Sequence, residues 1–391
     1  MLFSGDPVER LQLLRGETNR NHLGSFGATQ ALLPTLTETL GVSPSQAALT
    51  VSAATGTLAV CVVPASILSE KFGRGRVLTI SAAAATAVGL LLPLSQTIGH
   101  MIALRALQGA LIAGTPAVAM AWLSEEIDER DLPRAMGLYI AGNTVGGLMG
   151  RLVPAFVLEV ASWRWALLVS GAVSFSLAVA AWWMLPQQRN FRPKASIRPG
   201  AELQAVARHL SNPRLVALAA CGFIGMGVFV SMYNFFGYRA IHDFGLPPAL
   251  AGLTFVMYLS GTWSSARAGT FIATFGRGRV VLAGAVLMLA GVLIGASPHL
   301  GFTLAGLLVL TASFFAVHST ASGWVGQIAE HDRAEASSLY VFSYYLGSSV
   351  LGAATGRAFE ALPWAGFVGV LAGLLIVLTL VAGWLAYGER R

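Results

Sequence analysis

Residues 363–387 run for 25 positions without one charged side chain, and comparable apolar stretches recur along the 391-residue chain. About 20 apolar residues in a helix cross the hydrocarbon layer of a bilayer. In lipid every backbone N–H and C=O must find its partner inside the spanning structure, which leaves helices and closed barrels. Barrel strands read as segments of roughly ten alternating residues. The runs here are longer and do not alternate, so the expected class is an all-α membrane protein. Composition agrees: 55% of residues are apolar and 11% charged, against about 25% charged in a soluble domain.

Twelve spans are expected, at 22–40, 46–68, 77–97, 99–123, 134–158 and 163–185, then 214–240, 248–272, 280–297, 300–323, 336–359 and 363–387. The first is the most polar, with Ser25, Thr29, Gln30, Thr35, Thr37 and Glu38, and reads as a weak or incomplete helix. Of 25 Lys and Arg, 19 lie in the two tails and in the loops after spans 2, 4, 6, 8 and 10. Arg164 and Arg239 lie on the other side, and Arg105, Arg151, Arg267 and Arg357 fall within spans. This positive-inside bias puts both termini in the cytoplasm. It also accounts for the net charge of +7 without a nucleic-acid partner. Met1 to Asn21 is polar and lacks the apolar centre of a signal peptide. Cys61 and Cys221 sit in apolar runs and read as small apolar fillers.

A basic linker, 191–213, divides the chain into an N-terminal bundle of six helices (1–190) and a C-terminal bundle of six (214–391). An internal repeat supports the division. Phe72-Gly-Arg-Gly-Arg-Val77 recurs letter for letter at Phe275-Gly-Arg-Gly-Arg-Val280, after the second span of each half. Leu138-Tyr139 and Trp163 are echoed by Leu339-Tyr340 and Trp364. Two parallel six-helix halves describe one class of secondary transporter.

The chain resembles the major facilitator superfamily over nearly its whole length. Ser66-Ile-Leu-Ser-Glu-Lys-Phe-Gly-Arg-Gly-Arg76 is similar to that family's loop signature Gly-x-x-x-Asp-Arg-x-Gly-Arg-Arg, with Ser66 for Gly, Glu70 for Asp and Gly75 for the second basic residue. The second copy keeps Gly269 but has Ala273 in place of the acid. Arg105-Ala-Leu-Gln108-Gly109 resembles the family's Arg-x-x-Gln-Gly motif, which implies proton coupling. Gly142-Asn-Thr-Val-Gly-Gly-Leu-Met-Gly150 resembles the glycine-rich segment of antiporter branches. His318 to Gly326 and Tyr340 to Ser349 are similar to bacterial YnfM-type efflux permeases of the drug:proton antiporter group. The resemblance implies a major facilitator fold of two six-helix bundles.

Arg105 is the first candidate for substrate or proton coupling, with Gln108 beside it in the motif. A guanidinium deep in a span is costly unless it meets water or a partner, and it stays charged. It is expected to attract an anion or lower the proton affinity of a nearby acid; bonding to backbone carbonyls at a helix interface is the alternative. No Asp or Glu lies at mid-span: Glu38, Glu159 and Glu360 fall near outer helix ends, and Glu70, Glu125 and Glu126 near inner ones. His318 is the embedded imidazole, whose ordinary pKa of about 6.5 suits a proton carrier. Hydrogen bonding to a solute or partner helix is its other reading. Tyr139 and Asn143 share one helix face, as do Tyr340 and Tyr344. Tyr233 and Asn234, Gln30, and Tyr258 with Trp263 complete a candidate cavity whose aromatic faces suit amphipathic or aromatic solutes. Helix packing explains the same residues otherwise. Gly142, Gly146, Gly147 and Gly150, and Gly347, Gly352 and Gly356, offer small surfaces for close helix approach. The repeated loops are expected to be gating latches, with Glu70 pairing with Arg74, Arg76 or Arg134; Arg277 and Arg279 are the counterparts in the second copy.

The expected function is secondary active export of a small amphipathic solute or drug in exchange for protons, by alternating access. Direction and ion follow from the resemblance. The setting is the bacterial inner membrane, the partners are a small-molecule substrate, protons and the lipid bilayer, and the chain is a monomer without cofactor or metal. Export of a sugar, amino acid or organic acid is one alternative, and a non-transporting membrane sensor or scaffold another. No metal-ligand cluster, phosphate loop or Gly-x-Ser-x-Gly motif is present in the sequence, which argues against an enzyme.

Overall fold

The computed structural model describes residues 27–127, 132–184, 188, 207–329, 331 and 333–389. Among these, every regular element is helical. A helical turn at 27–31 leads into α1 (Leu33–Leu40), followed by α2 (Pro44–Phe72), α3 (Arg74–Gly89), α4 (Ile98–Ile112), α5 (Pro116–Glu126), α6 (Leu132–Val157) and α7 (Trp163–Met184). Then come α8 (Pro213–His242), α9 (Pro248–Leu253), α10 (Tyr258–Phe275), α11 (Arg277–Ile294), α12 (Leu300–Ile328), α13 (Arg333–Ala361) and α14 (Trp364–Glu389). Most of the linker expected at 191–213 lies outside the described residues, as does the start of the first span. The side chains of Arg134 and Tyr139 also lie outside them.

The helix starts follow local chemistry. Ser43 accepts from the Gln46 N–H while Gln46 returns a bond to the Ser43 N–H, and Pro44 opens α2 where its missing N–H costs nothing. Asn212 caps α8 through the N–H groups of Arg214 and Leu215. Three expected spans are interrupted. The first breaks before Pro34, with Leu32 N–H bonded to the Thr29 carbonyl one residue short of α-helical register. The fourth divides at Thr115-Pro116 into α4 and α5. The eighth passes through a 3-10 stretch, Thr254–Met257, between α9 and α10.

Seven of the described helices are long and apolar enough to cross a membrane. α6 and α13, 26 and 29 residues long, have the length but not the apolarity. Both of these polar helices meet the other half of the sequence. α13 runs antiparallel to α2, with Glu360 beside Ser45 and Ser349 bonded to the Ser52 carbonyl. α9 and α10 run antiparallel to α6, with Glu159 beside Ala249 and Arg151 beside Tyr258. α1 runs parallel to α8, pairing Gln30 with Asn234 and Thr37 with Tyr238. Close approach needs glycine at two places. A Cβ on Gly347 would overlap the Phe223 carbonyl of α8, and one on Gly109 would overlap the Ala54 carbonyl of α2.

These contacts place one end of α1, α2, α6, α8, α9 and α13 on a common rim. The two copies of Phe-Gly-Arg-Gly-Arg fall together on the opposite rim, at the far ends of α2 and α10. Their first glycines, Gly73 and Gly276, take φ of 98° and 82°, which L side chains rarely adopt. Their second glycines leave an N–H open to a cap. Gly75 N–H donates to Gln188 Oε1 at 3.0 Å, and Gly278 N–H to Glu389 Oε2 at 2.6 Å. A Cβ on Gly278 would press on Ala386 and on that carboxylate. The repeat is thus a turn-and-cap device, with the acceptor supplied each time by the end of the half's last segment.

Candidate functional site

At mid-span the seam between the two halves is polar and aromatic. Asn143, Gly147 and Arg151 recur every four residues along one face of α6. Arg151 Nε donates to Gln30 Oε1 at 2.9 Å, and its Nη1 donates to the Gly147 carbonyl at 2.8 Å. The guanidinium carbon lies 5.2 Å from the Phe255 ring centre and 4.9 Å from that of Tyr258. Gln30 Nε2 in turn donates to Asn234 Oδ1 at 2.8 Å. Directly or through Gln30, one arginine therefore joins the turn before α1, α6, α8 and α10. Each ring contributes about 0.5–2 kcal/mol of cation–π attraction, depending on how dry the site is.

The rings continue from there. Tyr258 lies 5.4 Å from Phe229, which stacks on Phe314 at 4.3 Å. Phe314 stacks on His318 at 6.1 Å and on Tyr344 at 6.2 Å. Tyr233 joins the belt 5.0 Å from Tyr258, and its hydroxyl shares a 2.8 Å hydrogen bond with Thr311. At the far end His318 Nδ1 and the Tyr340 hydroxyl are 3.0 Å apart. Seven of the expected site residues thus sit in or beside the seam: Gln30, Asn143, Tyr233, Asn234, His318, Tyr340 and Tyr344.

Arg105 and Gln108 stand elsewhere, inside the first half. Arg105 is fully buried; its Nε donates to the Thr50 carbonyl at 3.2 Å and its Nη1 to Gln108 Oε1 at 2.6 Å. Gln108 Nε2 reaches the Ala85 carbonyl of α3 at 3.1 Å. With Gly109 against Ala54, the motif clamps α4 onto α2 and α3. Arg151 is the residue that sequence reasoning passed over. Its signal was present, an arginine inside an apolar span, but no motif drew attention to it. Phe229, Phe255 and Phe314 gave no signal beyond apolarity.

The rim away from the repeated loops is closed by two matching contacts. Glu159 Oε1 accepts the Ala249 N–H at the start of α9 at 2.8 Å. Glu360 Oε1 accepts the Ser45 N–H at the start of α2 at 2.7 Å. Glu159 and Glu360 are separated by the same interval as Trp163 and Trp364. Each carboxylate reaches across to the other half and binds a positive helix N-terminus. Burial pushes the Glu360 carboxyl upward, but hydrogen bonds from Ser43 and Ser45 outweigh it and hold the group below its ordinary value. Thr37 and Tyr238 hydroxyls meet at 2.7 Å on the same rim, and His242 lies 3.8 Å from Glu38. On the opposite rim Glu70 ends α2, Arg74 and Arg76 open α3, and Arg277 and Arg279 open α11, Arg76 and Arg279 being exposed. The Arg277 N–H donates to Glu389 Oε1 at 3.1 Å.

Residues 22–266 match the family described as Major Facilitator Superfamily. The chain is 38% identical to "Inner membrane transport protein YnfM" of Escherichia coli (strain K12), over 90% of its own length and 85% of that protein's. It is 34% identical to "Uncharacterized MFS-type transporter YybF" of Bacillus subtilis (strain 168), over 91% and 88%. Among solved structures it is similar to the nucleoside transporter NupG, with a TM-score of 0.74 and 15% identity over 97% of this chain and 99% of that one. It is also similar to a bacterial homolog of the human lysosomal transporter Spinster in an inward-facing and occupied conformation, with a TM-score of 0.77 and 13% identity over 98% and 97%. At such identities the two structures speak for the fold alone.

Proposed function

Since the chain belongs to the Major Facilitator Superfamily, an all-α membrane fold of two six-helix bundles, we propose that it exports a small amphipathic solute in exchange for protons by alternating access. That the chain is a membrane transporter and not an enzyme follows from its relatives. The solute, the direction and the ion are our reading. The observation that supports it is the seam: a guanidinium and a continuous belt of rings at mid-span, contributed by helices of both halves. Rings with sparse polar groups favour an amphipathic guest.

The charge bias of the loops orients the protein with both termini cytoplasmic. The rim closed by Glu159 and Glu360 then faces outward. Transport requires that solute and proton each favour one of the two states; equal affinity for both drives nothing. The test is flux in proteoliposomes under an imposed pH gradient, with amphipathic dyes of positive, zero and negative charge. Gradient-dependent accumulation of at least one dye is expected. Accumulation that survives collapse of the gradient removes proton exchange. Absence of flux for all dyes, with protein folded in the vesicles, returns the chain to the reading of a sensor or scaffold.

A further inference from the structure

We propose that the solute is an aromatic carboxylate whose anionic head binds Arg151 and whose ring lies against Phe255 and Tyr258 beside the guanidinium. This deepens the transport reading above and rests on it. An arginine inside a span is costly, by up to about 2.5–3.5 kcal/mol at the centre in insertion measurements. Among the described residues, the groups that hold Arg151 are neutral: the Gln30 amide, the Gly147 carbonyl and two rings. Among the described residues no carboxylate meets it, whereas Arg239, near a helix end, has Asp243 at 3.5 Å. The positive charge within α6 is therefore solvated by its neighbours but not neutralised by them.

The hydrogen-bonding groups around it are incomplete in a matching sense. Arg151 uses Nε and Nη1, and Nη2 donates to nothing among the described residues. Asn234, 1% exposed and bonded to the same Gln30, has an Nδ2 with no acceptor among them. Two open donors on one network, beside an unneutralised guanidinium, call for an acceptor with two oxygens and a negative charge. A carboxylate meets that description, and its pairing with arginine is the stronger, charge-assisted kind. The wall next to the guanidinium is aromatic, so the remainder of the guest is a ring or a flat apolar body. A solute that brings the negative charge also fits a protein with no embedded acid at mid-span.

The probe is 1-naphthoate, with 1-naphthamide as its neutral isostere and benzoate and indole-3-acetate as further carboxylates. Binding to purified protein in detergent is measured by equilibrium dialysis, and flux in proteoliposomes. Naphthoate is expected to bind at least about tenfold more tightly than naphthamide. Arg151→Gln is expected to abolish that preference and Arg151→Lys to keep part of it. Tyr258→Leu weakens both ligands together. Arg267→Gln, at an exposed arginine within a span, serves as the control and keeps the preference. Thermal unfolding of each variant reports whether it is folded; if Arg151→Gln is not, Asn234→Leu must reduce the naphthoate preference instead. Equal binding of naphthoate and naphthamide, an unchanged preference in folded Arg151→Gln, or no saturable binding of any of the three carboxylates overturns the proposal. Arg151-dependent binding without flux of any compound defeats the transport reading and leaves the site. Flux of dyes that is indifferent to Arg151 defeats the site and leaves transport.

Discussion

Arg105 has its guanidinium fixed by a backbone carbonyl and by Gln108, with no surface left exposed. Removing it takes the Arg105 donor away from Gln108 Oε1 in a buried place, and losing a buried charge-assisted bond of this kind costs about 1–3 kcal/mol. Arg105→Ala is therefore expected to lower the thermal unfolding midpoint in detergent by several degrees, with Gln108→Ala acting in the same direction. Flux per folded molecule then shows what Arg105 contributes to transport beyond stability. His318 calls for a different substitution. His318→Gln can keep a hydrogen bond to the Tyr340 hydroxyl yet has no titratable proton. If His318 carries the proton, the variant loses gradient-driven accumulation while downhill exchange of solute continues; unchanged accumulation removes it from the proton path. Much of the seam was legible residue by residue, because Gln30, Asn234, Tyr233 and Tyr344 are polar or aromatic side chains in otherwise apolar spans. Arg151 was not singled out, since its importance lies in having two rings and an amide around it from two other spans, and spacing along one helix does not reveal that.

The helices themselves were largely readable because apolar length is a property of contiguous residues. The interruptions were less so. Pro116 and the 3-10 stretch after Leu253 divide spans whose hydropathy runs on unbroken, and such a break depends on what neighbouring helices offer the freed carbonyls. Glycine patterns sit between these cases. Gly347, Gly352 and Gly356 signalled close approach, and two of them deliver it: Gly347 against Phe223 of α8, and Gly356 against Ser45 of α2 and Phe235 of α8. A methyl at 347 would have to displace α8 from α13, and overpacking of this kind costs about 1–3 kcal/mol. Gly347→Ala should unfold at a lower temperature than wild type. Gly369→Ala, where an added Cβ has open space, should match or exceed wild type through higher helix propensity. Equal midpoints for the two variants would show that the contact between α8 and α13 yields easily.

Between the halves, recurring segments form paired devices whose meaning appears only when both copies are set side by side. The repeated loop was visible as a string of letters. The rim contacts were not, because Glu159 and Glu360 read in sequence only as acids near helix ends, and their partners are backbone N–H groups in the opposite half. Both contacts depend on a negative carboxylate facing a positive helix end. For Glu360 the sign of the pH effect follows from its depressed pKa in the closed rim. Its contribution to closure is complete above the pKa of the open state, and it is lost as pH falls through the lower value held in the closed state. Acid on that face therefore favours opening, the direction an exchanger needs if protons enter from outside as solute leaves. Spin labels at Thr39 and Ala361, both exposed on this rim, report the separation of the halves once Cys61 and Cys221 are replaced. Pulsed electron resonance should show the distance distribution moving to longer values as pH falls. In Glu159→Gln with Glu360→Gln the longer distances should already be populated at neutral pH, with little further change on acidification. A wild-type distribution that stays fixed down to the carboxylate range would mean that these glutamates hold the rim closed without sensing protons, and coupling would then have to pass through the seam.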